Sequence, residues 1–419
     1  MLGLSSFQFM AMARRGLFYT FLSIYLNKGL GLSVTETTLL ASLTMIANSV
    51  SQTFIWGKIS DKYQARASLV VIGETIAAFG YVLVYFVHFH LLNTNSSITA
   101  AYSIIVGLSV LEFFWSMSNL GWSALISDLT TSQERGKLMS LISSVGGVGR
   151  IVGISISGVF YDWGGEAGGF KNGILFFFAS GIMLVSAVMI WFSARSSEQI
   201  YKNKQIDKDA LKRNAKFSDS RSFRTFYWFL ASVFVVGLGA YSILQIFILY
   251  VDLGSPIGAT SFDIVMISNS ASIATIIASL LAGPLADKIG RKIAFGIGLS
   301  LTVVTPILYI FAQNVVQMIV INSLSGVSMA FMSVVGYLLA SDLIPAEYRG
   351  RLFGKYNAVT TISFGIAGTL VGGPVADYLI NTGAAQAAAY TTAFQVASAI
   401  SLIGVIMFTL KVKSSDLQN

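Results

Sequence analysis

Five ionisable residues, Arg14, Arg15, Glu74, Glu112 and Arg150, interrupt otherwise long apolar stretches. Near the centre of a bilayer each ionised side chain costs about 2.5–3.5 kcal/mol or more, so each calls for a partner or a function. Glu112 stands 16 residues before Asp128, and Arg150 stands 15 after Arg135. At about 1.5 Å per helical residue both lie about 22–24 Å from the polar loop between them. By the same rise Arg14 and Arg15 are about 20 Å from the N-terminus, so three segments bring charge to one depth. Arginines at that level can hold an anion. A buried carboxyl beside them can load and release a proton as the anion competes for the arginines. Trp115 and Asn119 stand beside Glu112, and Tyr241 and Gln245 share a helix face at the matching depth of the second half. Asn322 does the same, in a stripe with Ser325, Met329 and Ser333, and Asn269 adds a further polar group. Glu74 lies nearer a polar loop and reads as a packing or interfacial residue.

The elements that must position these residues follow from composition. Of 419 residues 54% are apolar and 11% charged, against roughly 25% charged in soluble chains. So few charges cannot cover a soluble fold of this length, and lipid is the solvent for most of the surface. A window of about 20 apolar residues finds twelve spans, near 3–26, 36–57, 67–89, 99–127, 138–160, 172–193, 225–251, 262–285, 293–312, 314–341, 353–376 and 386–410. With the N-terminus placed inside, 22 of the 27 basic residues fall on the inner side, and only Lys28 and Lys171 on the outer. That bias predicts both termini in the cytoplasm and a multi-pass protein of the cell membrane. Arg14-Arg15 before Gly16–Leu26 looks like a secretion signal, but the apolar run is short and no small-residue cleavage site follows, so a retained span is expected.

The polar stretch between the sixth and seventh spans divides the chain into residues 1–195, a cytoplasmic linker over 196–222, and residues 223–419. The two halves repeat each other. Gly57, Asp61, Lys62 and Arg66 after span 2 match Gly283, Asp287, Lys288, Arg291 and Lys292 after span 8. Asp128 and Arg135 after span 4 match Asp342 and Arg349 after span 10. A carboxylate there can dock on the positive end of a facing helix, which predicts Asp61 against the start of span 11 near Phe353 and Asp287 against the start of span 5 near Met139. These motifs resemble the major facilitator superfamily along the whole chain, although Gln64 and Ala65 depart from its usual Gly and Arg.

The resemblance implies an all-α integral membrane fold of two pseudo-symmetric six-helix bundles, rocking about a midplane site in alternating access. It also implies that spans 1 and 4 line the cavity. An acid on span 4 facing an arginine on span 5 looks like sugar permeases of the lactose type, and arginine on span 1 with that acid looks like the organic-anion transporters. The combined expectation is a monomeric, proton-coupled secondary transporter of a small organic anion, with the lipid bilayer as surroundings and the proton gradient as energy source. Arg14, Arg15 and Arg150 are then the anion contacts and Glu112 the coupling group. A proton-driven exporter of drugs or lipids is the alternative, although Arg150 follows Gly149 where drug–proton antiporters usually carry Gly-Pro. From another class, a non-transporting sensor fits the same fold. The glycines of spans 5 and 11 are expected to pack the halves together. The chain has no cysteine, two histidines, no P-loop and no HExxH, which argues against an enzyme, a metal site or any cofactor. The basic residues follow the loops rather than gathering in a patch, which argues against nucleic acid.

Overall fold

The computed structural model describes residues 2–63, 66–94, 96–129, 132–201, 220–254, 257–344 and 349–412. The described chain is helical almost throughout. In the first half run α1 (Leu2–Tyr19), α2 (Val34–Ser51), α3 (Arg66–Thr94), α4 (Ser97–Leu129), α5 (Ser132–Tyr161) and α6 (Ile174–Tyr201). In the second half run α7 (Ser220–Ser242), α8 (Ser261–Ile289), α9 (Arg291–Phe311), α10 (Val315–Leu343), α11 (Arg349–Ala367) and α12 (Gln386–Lys411). Among the described residues ten helices, α3 to α12, are long and apolar enough to cross a membrane. The other two expected spans are helical where predicted but more polar. Arg14 and Arg15 interrupt α1, and Ser and Thr crowd α2.

Several helices are not uniform rods. α1 continues through Leu22–Ile24 into a wide turn at Tyr25–Gly29, and α2 passes through another at Gln52–Trp56 before Gly57–Tyr63. α11 widens at Gly368–Gly372 and resumes as Gly373–Asn381. α7 breaks at Ile243 and resumes as Leu244–Val251. Such local departures from the i→i−4 ladder recur at functional sites. Of the expected linker 196–222, α6 runs on to Tyr201 and α7 begins at Ser220, while residues 202–219 lie outside the described residues.

The buried apolar side chains show where the halves meet. At the end away from the termini, hereafter the far end, one continuous core joins Phe18, Phe21, Tyr25 and Phe170 of the first half to Phe247, Tyr250, Tyr309 and Phe394 of the second. At the near end the described core residues form two separate clusters, one around Phe7, Trp122 and Ile190, the other around Phe226, Phe229, Phe295 and Phe408. Among the described side chains, the core shared by the two halves therefore lies at the far end. Polar ties reinforce the join. Ser42 Oγ donates to the Gly365 carbonyl at 2.7 Å, linking α2 to α11. Asn269 donates to Ser155 at 3.1 Å, linking α8 to α5. Lys28 pairs with Asp252 at 2.5 Å and also donates to the Asp252 carbonyl at 2.9 Å.

Candidate functional site

Glycines set the depth of the charged residues. A Cβ at Gly149 would overlap the Phe9 carbonyl, one at Gly153 the Ala13 carbonyl, and one at Gly16 the Arg150 carbonyl. Bare backbone lets α1 and α5 touch along this stretch, which brings Arg14, Arg15 and Arg150 to one level. This corrects part of the sequence expectation. Gly149 and Gly153 pack within the first half, because the α5 face that they occupy turns towards α1. Gly147 and Gly158 do face the second half, at Ile276 and Val265. On α11, Gly365, Gly368 and Gly373 approach Met45, Thr38 and Thr35 across the halves, whereas Gly372 packs on Ser242 of α7.

The arginines of α1 converge on Trp115 of α4. Arg14 is 1% exposed, and its Nη1 donates to Tyr81 Oη on α3 at 2.6 Å. Its guanidinium carbon lies 5.1 Å from the centre of Trp115 and 5.7 Å from that of Tyr81. Arg15 lies 4.7 Å from Trp115. Stacking on an aromatic face favours a desolvated cation by roughly 0.5–2 kcal/mol. The indole is itself fixed, since Trp115 Nε1 donates to Glu74 Oε1 at 2.8 Å and Ser118 Oγ donates to the same oxygen at 2.6 Å. Glu74 therefore packs α3 on α4, as expected, and in doing so holds the surface on which both arginines rest. Tyr81 was missed by the sequence reading. Its signal was available, because Glu74 and Tyr81 are seven residues, two helical turns, apart on α3.

Glu112 lies one turn before Trp115, is 4% exposed, and has an Oε2 that meets no hydrogen-bond partner among the described residues. Nε and Nη2 of Arg14 are likewise without acceptors there. No described carboxylate comes within 4 Å of Arg14, Arg15 or Arg150, so the expected facing pair of Glu112 and Arg150 is not formed in this conformation. Arg150 is exposed. Asn119 is partly buried one turn beyond Trp115.

The second half contributes differently. The Tyr241 ring meets Phe364 of α11 edge-on at 5.1 Å, and Gln245 approaches Gly368 from beyond the break at Ile243. Asn322 accepts from Tyr309 Oη at 2.7 Å and donates to the Ile267 carbonyl at 2.6 Å. Buried, it ties α10 to α8 and α9 in this conformation. At the near end Arg291 hydrogen-bonds Asp342 and lies 3.5 Å from Asp287, inside the second half. Asp287 and Lys288 are exposed, Gly283 has open space around it, and Lys62 is exposed. Gly57 begins the segment that follows the wide turn of α2. The side chains of Asp61, Arg66, Asp128, Arg135, Met139 and Arg349, on which much of the expected gate falls, lie outside the described residues.

A chain with ten candidate spans among its described residues, and a buried cluster of arginine, carboxylate and aromatic groups between helices, is a multi-pass membrane protein. The sequence profile of the Major Facilitator Superfamily matches residues 4–256 and 240–418. The chain belongs to that superfamily. It is 32% identical to Multidrug resistance protein 2 of Bacillus subtilis over 172 residues, a match spanning 41% of this chain and only 41% of that protein's length. It is 22% identical over 365 residues to the multi-drug resistance efflux pump PmrA homolog of Lactococcus lactis, covering 86% of this chain and 84% of that one. Among solved structures, a bacterial homolog of the human lysosomal transporter Spinster, in an inward-facing and unoccupied conformation, superimposes with a TM-score of 0.74 at 11% identity, covering 100% of this chain and 98% of that one. The nucleoside transporter NupG gives 0.71 at 17% identity, covering 98% of each chain. At such identities these two likenesses speak for the fold alone.

Proposed function

We propose that this chain is a proton-coupled secondary transporter of a small organic anion, working by alternating access across the cell membrane with twelve spans and both termini cytoplasmic. The observation that carries this reading is the gathering of Arg14, Arg15 and Arg150 at one depth with no described carboxylate within 4 Å. Unneutralised arginines, with Arg14 fully buried, are an electrostatic trap for an anion. Trp115 offers an aromatic surface between them, and Glu112 is the group that exchanges a proton as solute arrives. Asn119, Tyr241 and Gln245 complete the lining when the halves rock together. With the near end facing the cytoplasm, the shared core at the far end corresponds to a state closed on the outside.

A second reading, export of drugs or other amphiphiles, is favoured by the names of the relatives matched and by the aromatic interior. Thermal unfolding of the purified protein against a panel of organic anions and amphiphilic cations separates the two. A ligand at 100 times its dissociation constant stabilises by about 2.7 kcal/mol. Stabilisation by anions, followed by counterflow of a labelled anion in proteoliposomes, is the expected result. Stabilisation by cations alone overturns the anion reading in favour of the second. Stabilisation by an anion without counterflow identifies a sensor.

A further inference from the structure

The spacing Gly-x-x-x-Asp occurs at four places in the chain and no others: Gly57–Asp61, Gly158–Asp162, Gly283–Asp287 and Gly373–Asp377. They terminate the second, fifth, eighth and eleventh spans, which form two helix pairs between the halves, α2 with α11 and α5 with α8. Two belong to the near-end repeat already described. The far-end two have no role in that repeat, and there the geometry is explicit.

Asp377 Oδ1 accepts from the Val34 backbone N–H at 2.8 Å, and its Oδ2 from the Thr35 N–H at 2.7 Å. Val34 and Thr35 open α2, and their N–H groups have no acceptor within their own helix. The next donors are served locally: Ser33 Oγ takes the Glu36 N–H at 3.2 Å and the Ser33 carbonyl takes that of Thr37. The start of α2 is thus completed by a carboxylate from the other half, where charge and helix dipole reinforce the hydrogen bonds. Gly373 makes the approach possible, since a Cβ there would stand 2.7 Å from Thr35 Cα. The other pair is tied at the same end by a side-chain contact, the backbone at the start of α8 being capped by Thr260 and Asp263. Asp162, just beyond α5, accepts from the Oγ of Ser261, the first residue of α8, at 2.6 Å, and Gly158 lies against Val265.

We propose that Asp377 and Asp162 are far-end latches, and that the four Gly-x-x-x-Asp segments make each helix pair a see-saw with one carboxylate latch at each end. Rocking that seats Asp61 and Asp287 on the starts of α11 and α5 unseats Asp377 and Asp162 from the starts of α2 and α8, and the reverse. The proposal uses the alternating-access part of the function above and is independent of solute and proton.

The absence of cysteine allows a direct test. Spin labels at Asn93→Cys, exposed in the last turn of α3, and Gln313→Cys, exposed between α9 and α10, lie at the far end of opposite halves and report their separation in proteoliposomes without solute or pH gradient. Asp377→Ala and Asp162→Ala are expected to raise the ratio of long to short separations about tenfold each. Asp61→Ala lowers it, and Asp377→Ala with Asp61→Ala returns it towards that of the unsubstituted pair. Should Asp377→Ala fail to fold, Asp377→Asn, which keeps an acceptor and loses the charge, is expected to give a smaller shift in the same direction. Unchanged distributions in Asp162→Ala and in the folded Asp377 variant overturn the proposal. Shifted distributions in a protein that transports no anion leave the latches standing and remove only the anion reading.

Discussion

Replacing Trp115 tests whether Glu74 holds the surface on which the arginines rest. Both partners are nearly inaccessible, at 4% and 1%, and the bond between them is 2.8 Å long. Hydrogen bonds between membrane helices average about 0.6 kcal/mol and reach about 1.7, and this one, ending on a carboxylate, belongs near the top. Trp115→Phe removes the donor, keeps an aromatic face, and leaves space that costs roughly 1–2 kcal/mol more. The expected loss is about 3 kcal/mol in the original protein and about 1.5 in a Glu74→Met background, a coupling of about 1.5 kcal/mol. Unfolding in mixed micelles by added dodecyl sulfate, followed through helical circular dichroism, supplies the four free energies. Glu74→Gln, whose amide oxygen still accepts, should keep most of the coupling. A coupling below about 0.3 kcal/mol would refute the claim that Glu74 orients the indole.

Gly153→Ala places a methyl on the Ala13 carbonyl and is expected to cost about 1–3 kcal/mol and reduce the yield of folded protein, whereas Gly181→Ala, with nothing within 4 Å, should change neither; equal yields would contradict the α1–α5 contact. Arg150→Lys keeps the charge but loses the planar fork, so anion affinity measured by titration should fall about tenfold with helicity intact; unchanged affinity would make Arg150 a packing residue. At the far end, burial pushes the Asp252 carboxyl above the usual carboxylate range while Lys28 pulls it down. Protonation there favours the state in which Asp252 is buried. Acidification from above that raised value towards the ordinary carboxylate range should therefore increase the far-end-closed fraction, and alkalinisation should reverse it. Lys28→Met removes the downward pull and should move the response to higher pH; label separations that lengthen on acidification would contradict the sign.

Hydropathy alone located the helices, because a lipid-facing helix must be apolar whatever it packs against. It served least well at α1 and α2, which put polar side chains between helices and so look less like spans. Depth was equally legible: counting residues placed Arg14, Arg15, Glu112 and Arg150 together before any packing was known. Rotation about each helix axis was not, since it follows from contacts distant in sequence. That is why Gly149 and Gly153 were expected between the halves and are found on α1, and why Asn322 was expected beside solute and in this conformation is bonded to Tyr309 and Ile267. It is also why the hold of Glu74 on Trp115 was invisible in a residue read only as packing or interfacial. The far-end latches were written in the same spacing as the near-end motif, but Asp162 and Asp377 lack the neighbouring basic residues that drew attention to Asp61 and Asp287.

The central claim is that Glu112 exchanges the proton that drives an anion bound by the arginines beside it. Glu112→Gln in proteoliposomes tests it most directly, with labelled anion followed both under an imposed pH gradient and in exchange at equal pH. Gradient-driven accumulation is expected to disappear while exchange continues. Accumulation at the rate of the unsubstituted protein would contradict it.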